Sequence, residues 1–254
     1  MTLARSLYSK IPLELRDRIR PLKYARIVFD GPPEAPAVDR LWSTEPVSRQ
    51  YGFDRGTPID RYYIERFLDR YASDIRGSVL EVQDNDYTIR YGGTRVTKSD
   101  VLHAEPGHPG ATLVADLCDA PAIESASFDC IILTQTLSFI PDLAMAASTL
   151  ARILKPGGTL LLTTAGISRI CRVEDERWGH YWNLTHRSLE HILAGPFAGG
   201  SIEIESFGNV LSAICSLQGL AAEELQEGEL DLVDPDYAVI VAARVVKARP
   251  EHDH

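Results

Sequence analysis

Apolar positions along this chain change period twice. Near the start, Leu13, Leu15, Ile19 and Leu22 mark one short amphipathic stretch among basic residues. Pro32, Pro33, Pro36 and Pro46 follow, and a segment so rich in proline reads as a linker. A helical period then sets in. Ile59, Tyr63 and Phe67 recur at i, i+4 and i+8 with Tyr62 beside them. Thr57 is placed to cap this helix, Pro58 suits its first position, and Asp60 falls three residues after the cap. The helix is predicted to run to about Ala72 and to stop by Gly77.

From residue 78 the period shortens to compact apolar runs: 78–82, 95–101, 111–116, 128–135, 159–164, 202–207 and 236–246. A helix rich in Ala and Leu separates two of them at 142–154. Strands that are apolar throughout and divided by helical stretches predict an α/β, doubly wound, mostly parallel seven-stranded sheet covered on both faces. The last two strands are expected as an antiparallel edge hairpin. The chain thus divides into a basic arm with a Pro-rich linker over 1–49, an α/β domain over 50–247 whose leading part is 50–77, and a disordered tail over 248–254.

Composition narrows this further. The 254 residues are 44% hydrophobic and 24% charged, which excludes collagen-like and wholly disordered chains. A net charge of −10 argues against nucleic acid as partner, because neutralising phosphates needs clustered cations. The charge is uneven: nine Lys/Arg and six Asp/Glu give residues 1–49 a net +3, leaving −13 for the rest. Seven carboxylates crowd 223–236 with no cation, and are expected to form a solvated surface. The four cysteines have no paired spacing, so reduced thiols in a cytoplasm are expected, with no metal. No apolar run is long enough for a membrane span. A homodimer is left open.

In an open α/β sheet, ligands bind outside the carboxyl ends of the strands, where strand order reverses. The candidates by that rule are Glu81 with Gln83, Asp84 and Asn85, then Asp100 with Val101, Asp116 with Leu117, and Thr134, Gln135 and Thr136. A carboxylate after strand two can accept from ribose hydroxyls, and one after strand three from an exocyclic amine.

Within 111–164, the sequence ADLCDAPAIESASFDCIILTQTLSFIPDLAMAASTLARILKPGGTLLLTT has an Asp after strand three, Phe-Asp opening strand four, and Lys-Pro-Gly-Gly leading into strand five, with Phe128 27 residues before Lys155. It resembles the class I S-adenosylmethionine-dependent methyltransferases of small molecules, the methyltransferase-11-like group with its Rossmann-like fold. FDRGTPIDRYYIERFL (53–68) looks like a bacterial subgroup associated with glycan modification. The resemblance implies S-adenosylmethionine as cofactor and a small-molecule acceptor, a hydroxyl of a sugar, glycan precursor or secondary metabolite. It implies that Asp100 holds the ribose hydroxyls, Asp116 the adenine amine and Leu117 the ring. Thr134, Gln135 and Thr136 would line the methionine end, Glu81 would organise the loop after strand one, and Arg55, Arg61 and Tyr63 would close as a lid. His180 and His186 would serve as general bases, with Trp178, Tyr181 and Trp182 walling the acceptor pocket.

One departure stands out. Where the family has Gly-x-Gly-x-Gly after strand one, this chain has Gln83-Asp84-Asn85-Asp86-Tyr87. Asn and Asp tolerate left-handed geometry, so on one reading the cofactor still binds, with Asp84 or Asn85 meeting its amino group. On another the site is closed and the domain is a catalytically silent scaffold. A third uses Asp84 and Asp86 to hold a metal in a glycosyltransferase, although Phe-Asp and Lys-Pro-Gly-Gly do not belong to that class. A nicotinamide-linked reductase lacks its glycine fingerprint altogether.

Overall fold

The structure, a computed structural model, describes residues 43–250. The amphipathic segment 13–22, most of the linker and the last four residues lie outside the described residues. The elements are α1 (Ile59–Arg70), β1 (Gly77–Val82), β2 (Val96–His103), β3 (Leu113–Val114), β4 (Phe128–Thr134), α2 (Leu143–Ile153), β5 (Leu154–Ala165), α3 (Arg172–Trp178), α4 (His186–Ala194), β6 (Ser201–Phe207), α5 (Val210–Gln218), α6 (Glu227–Asp231) and β7 (Ile240–Val246).

The seven strands order as β3-β2-β1-β4-β5-β7-β6, with β7 antiparallel to both neighbours and the other pairs parallel. The late strands β6 and β7 pair antiparallel at the sheet edge as expected, but they are not joined by a tight turn. Helices α5 and α6 intervene, and β7 inserts between β5 and β6.

Each face of the sheet buries its own core. Leu80, Ile131, Leu133, Leu160, Leu162 and Val241 point to one side, under Ala146 and Leu150 of α2 and Leu189 and Leu193 of α4. Val79, Cys130, Ile132, Leu161 and Ile240 point to the other, under Ile59, Tyr63 and Phe67 of α1 and Ala213 and Cys215 of α5. The alternation follows from the two-residue period of a strand. Each large side chain so buried contributes on the order of 1.5–3 kcal/mol.

The Phe-Asp and Lys-Pro-Gly-Gly landmarks meet in space. Asp129 Oδ2 accepts from Ser78 N–H (2.8 Å) and from Lys155 Nζ (2.7 Å), tying the amino ends of β1, β4 and β5 together. Burial pushes the Asp129 carboxyl up, but these two donors outweigh it and hold it below the usual range. Lys155-Pro156-Gly157-Gly158 form the irregularity in the β4–β5 register, with Phe128 beside Leu154 and then Cys130 beside Thr159.

Rather than being merely solvated, the acidic segment clamps α1. Arg55 forks onto Glu224, with Nε donating to Oε2 at 2.8 Å and a second nitrogen to Oε1. Thr57 donates to Glu223 through both N–H and Oγ1. Arg66 pairs with Glu227 and Asp231, and Tyr62 donates to Asp231. The Glu224 side chain is fully buried, whereas the Arg66 pairs are exposed.

At the far end of β1, Glu81 is buried and accepts from Tyr87 N–H (3.3 Å), Thr88 N–H (2.7 Å) and Thr88 Oγ1 (2.7 Å), which folds the chain into the turn Thr88–Gly92. Burial pushes its carboxyl up to about 8 despite those donors.

Two expectations follow. Arg55→Ala leaves the buried Glu224 without its cation, with only Ala221 N–H still donating to it, and should cost about 3 kcal/mol in urea denaturation, while Arg66→Ala should cost about 0.5 kcal/mol or less. Equal losses would contradict the burial argument. Glu81 should retain its proton in the folded chain between the ordinary carboxylate range and about pH 8, where the unfolded chain has lost it. Stability should therefore fall as pH rises from about 5 to 8, and Glu81→Gln should flatten that decline. Parallel profiles for the two proteins would show that the Glu81 proton is not retained.

Candidate functional site

Strand order reverses between β1 and β4, and a cavity of about 400 Å³ opens at the carboxyl ends of the surrounding strands. Its walls are Val82 and Gln83 after β1, Leu102 to Glu105 at the end of β2, Ala115 to Leu117 after β3, and Thr136 and Phe139 to Pro141 after β4. Trp178 and Tyr181 close the outer side. A larger groove of about 750 Å³ lies on the outer face of α1, away from the strand ends, among ion pairs such as Arg90–Glu65.

Of the residues singled out from sequence, Gln83, Asp116, Leu117 and Thr136 line this cavity together. Asp116 Oδ1 accepts from Cys118 N–H at 2.8 Å, which sets the turn after β3. Leu117 is buried against the wall. Glu81 lies beneath the loop that it organises.

Asp100 is elsewhere. Strand β2 continues three residues past it to His103, so Asp100 sits mid-strand, buried beside Leu80. Its carboxylate accepts from Thr112 Oγ1 at 2.9 Å and lies 2.8 Å from Lys98 Nζ, an ion pair without hydrogen-bonding geometry. Val101, likewise inside the strand, is buried and engages Thr112 through its N–H. The carboxylate at the strand's end is Glu105, whose Oε2 accepts from Arg177 at 2.9 Å. The same end carries His103, stacked on His108 at 4.9 Å and edge-on to Trp178 at 6.2 Å. The continuing apolar pair Val101-Leu102 ahead of Pro106-Gly107 was the signal for the longer strand.

The loop after β1 has no glycine but keeps a left-handed turn: Gln83 has φ +79°. Gln135, after β4, has φ +50°, so both strand ends at the switch point hold a side-chain-bearing residue in a conformation costing about 1–3 kcal/mol. The buried Gln135 Nε2 has no hydrogen-bond partner, and neither has Ser138 Oγ. Thr134 contributes its carbonyl, which accepts from Thr136 Oγ1 at 3.0 Å. Asp84 uses one oxygen on Asp86 N–H, and Asn85 donates to Ser99 Oγ at 3.0 Å, so both face the turn and not the cavity.

The proposed lid residues divide. Arg55 is committed to Glu224. Tyr63 is a core residue, packed near Phe207 with its hydroxyl donating to Leu230 O at 3.0 Å, because its helical period puts it on the buried face. Arg61 stacks over Phe53 at 5.3 Å, and its charge opposes the burial that raises the Asp60 and Asp86 carboxyls. Beside them, Arg169 lies 3.5 Å over the Tyr51 ring and donates to Arg49 O, with its own Nε unpartnered.

Neither histidine lines the cavity. His180 stands edge-on to Phe139 at 5.3 Å, with Nε2 3.1 Å from Asn183 Oδ1 and Nδ1 3.5 Å from Cys171 N. His186 is exposed at the first residue of α4. Trp182 turns its indole N–H to Ile140 O at 2.9 Å, which braces the wall.

Residues 66–162 match the family described as a methyltransferase domain. No curated protein matches the chain. Among solved structures, phosphoethanolamine N-methyltransferase 2 of Haemonchus contortus, in complex with S-adenosyl-L-methionine, superposes with a TM-score of 0.51 at 17% identity, over 74% of this chain and 53% of that one. This chain thus aligns with about half of that enzyme's length. An S-adenosylmethionine-dependent methyltransferase from Mesorhizobium loti superposes with a TM-score of 0.50 at 15% identity, over 74% of this chain and 98% of that one. With its switch point between β1 and β4 and, among the described residues, the antiparallel strand β7, the chain has the fold of the class I S-adenosylmethionine-dependent methyltransferases, and its residues 66–162 are similar to the methyltransferase domain family.

Proposed function

We propose that the protein is a methyltransferase that binds S-adenosylmethionine in the cavity at the carboxyl ends of β1 to β4 and methylates a small-molecule acceptor. The observation that carries this reading is the left-handed turn at Gln83: the backbone takes the path that glycine usually permits, beside a cavity already holding Asp116, Leu117 and Glu105. The sequence departs from the family at this loop, and Gln83 takes a backbone conformation that glycine favours.

The residues present fit such a cofactor. Asp116 keeps Oδ2 to accept from an exocyclic amine, and Leu117 with Ile140 offers apolar contact to a ring. Glu105, oriented by Arg177, takes the ribose-binding role that the sequence reading gave to Asp100. Gln135 and Thr136 serve the methionine end, where the unpartnered Gln135 amide has a donor to offer.

The cofactor supplies a methyl group already activated on a sulfonium, so the chain's task is alignment and exclusion of water. Phe139, Trp178 and Tyr181 provide the dry wall. For a hydroxyl acceptor of a sugar or secondary metabolite, His180 stands behind the Phe139 wall with Nε2 against Asn183 Oδ1 and with Nδ1 accepting from Cys171 N–H at 3.5 Å, so it acts as a base only once that contact is released. We place the protein in the cytoplasm. Cys118, Cys130, Cys171 and Cys215 are free thiols, and no described helix is long and apolar enough to cross a membrane.

Calorimetry with S-adenosylhomocysteine tests the reading. Binding is expected, and its absence at millimolar ligand with folded protein would leave the silent-scaffold reading in its place. Glu105→Ala and Asp116→Ala should each weaken binding at least tenfold, about 1.4 kcal/mol. Asp100→Ala should leave affinity within about twofold and lower the melting temperature instead, because its partners lie inside the sheet. The reverse pattern would restore Asp100 to the site.

A further inference from the structure

Helix α5, VLSAICSLQ, contains no charged residue, although it lies at the surface. Its inner face buries Ser212, Ala213 and Cys215. Its outer face presents Val210, Leu211, Ile214 and Leu217, each between 37% and 48% exposed, at the i, i+1, i+4, i+7 spacing of a single stripe. Leu232 and Val233, 66% and 52% exposed, adjoin its first turn, where Asn209 Nδ2 donates to Leu232 O and Asp234 N–H donates to Gly208 O. A helix apolar on both faces, with further apolar side chains at its start, is expected to be covered on both.

The chain itself indicates what covers it. The described residues begin at 43, and the segment just after that point is fastened to the carboxyl end of α5: Ser48 N–H donates to Gln218 O at 2.9 Å and Val47 N–H to Gln218 Oε1 at 3.3 Å. The contact is close enough to require Gly219, with φ +75°, because a β-carbon there would collide with the Ser48 carbonyl. The described chain therefore begins five residues before Ser48, which lies against the last turn of the exposed stripe. Within residues 1–42, Leu15, Ile19 and Leu22 follow an i, i+4, i+7 spacing among Arg16, Arg18 and Arg20. The arm over 1–49 has a net +3, and beside the first turn of α5 lies the acidic segment containing Glu229, Asp231, Asp234 and Asp236. The 24 residues between Leu22 and Val47 can span up to roughly 80 Å, against about 14 Å for the length of α5, so the tether reaches easily and holds the arm at high effective concentration.

We propose that the amphipathic segment 13–22 docks in cis on the apolar stripe of α5, with its arginines toward the acidic segment. This inference is independent of the methyltransferase reading. The full-length chain carrying Ile214→Cys tests it by maleimide labelling resolved by peptide mass spectrometry, which separates the introduced thiol from Cys118 and Cys171. The thiol should react slowly, and adding Leu15→Glu and Ile19→Glu should accelerate it at least tenfold. Equal rates overturn the proposal. Protection that rises with protein concentration, in chains sedimenting as dimers with or without the arm substitutions, assigns the stripe to a second copy and also overturns it. If Ile214→Cys does not fold, amide exchange over 210–218 in the otherwise unaltered chain should accelerate at least tenfold on Leu15→Glu/Ile19→Glu, and unchanged exchange refutes the docking.

Discussion

The reversal of strand order between β1 and β4 is the constraint on which the rest of this structure depends. Two adjacent parallel strands whose onward connections leave in opposite directions cannot both have their carboxyl ends covered by the segments that follow them. The gap is built into the topology before any particular side chain is considered. Asp129 secures the other end of the same strands, holding Ser78 and Lys155 at the start of β1 and β5. A rigid amino end and an open carboxyl end are thus two consequences of one register.

Around that gap the molecule accepts local strain. Gln83 and Gln135 hold left-handed backbone at the two strand ends flanking the switch point, where glycine would do so at no steric cost. Their surroundings compensate. Gln83 N–H donates to Leu102 O, Gln135 N–H to Thr163 O, and the buried Glu81 gathers the donors of the following turn. Where the glycine-rich pattern is replaced, Gln83 therefore holds a left-handed backbone and also adds its side chain to the cavity wall.

The carboxyl groups divide into three physical classes. Glu224 and Glu81 are buried and act on folding. Glu105 and Asp116 stand at the cavity, where the proposed function gives them a part in binding. Most of the remainder, including Glu227 and Asp231, sit on the surface, where pairing with Arg66 contributes little on its own. The net −10 is the sum of these unlike roles, and it describes no single surface or partner.

Much of the fold was legible from sequence because alternation along a strand and the 3.6-residue period of a helix are local consequences of backbone geometry. The sheet and the α1 face of Ile59, Tyr63 and Phe67 could be read that way, whereas Phe128-Asp129 and Lys155-Pro156-Gly157-Gly158 stood out only as landmarks of a resemblance, and their contact is a finding of the structure. What could not be read were distances between segments far apart in the chain. Whether β2 ends at Val101 or at His103 is a matter of two residues in sequence, but it decides whether Asp100 or Glu105 reaches the cavity. Likewise, the seven carboxylates within 223–236 look solvated until Arg55, Thr57, Tyr62 and Arg66 are brought against them from more than 150 positions away. The sequence by itself determined the elements and the order of their landmarks. Only the tertiary structure decided which strand ends meet at the cavity and which charges are buried, because both depend on register and packing between segments that no local period encodes.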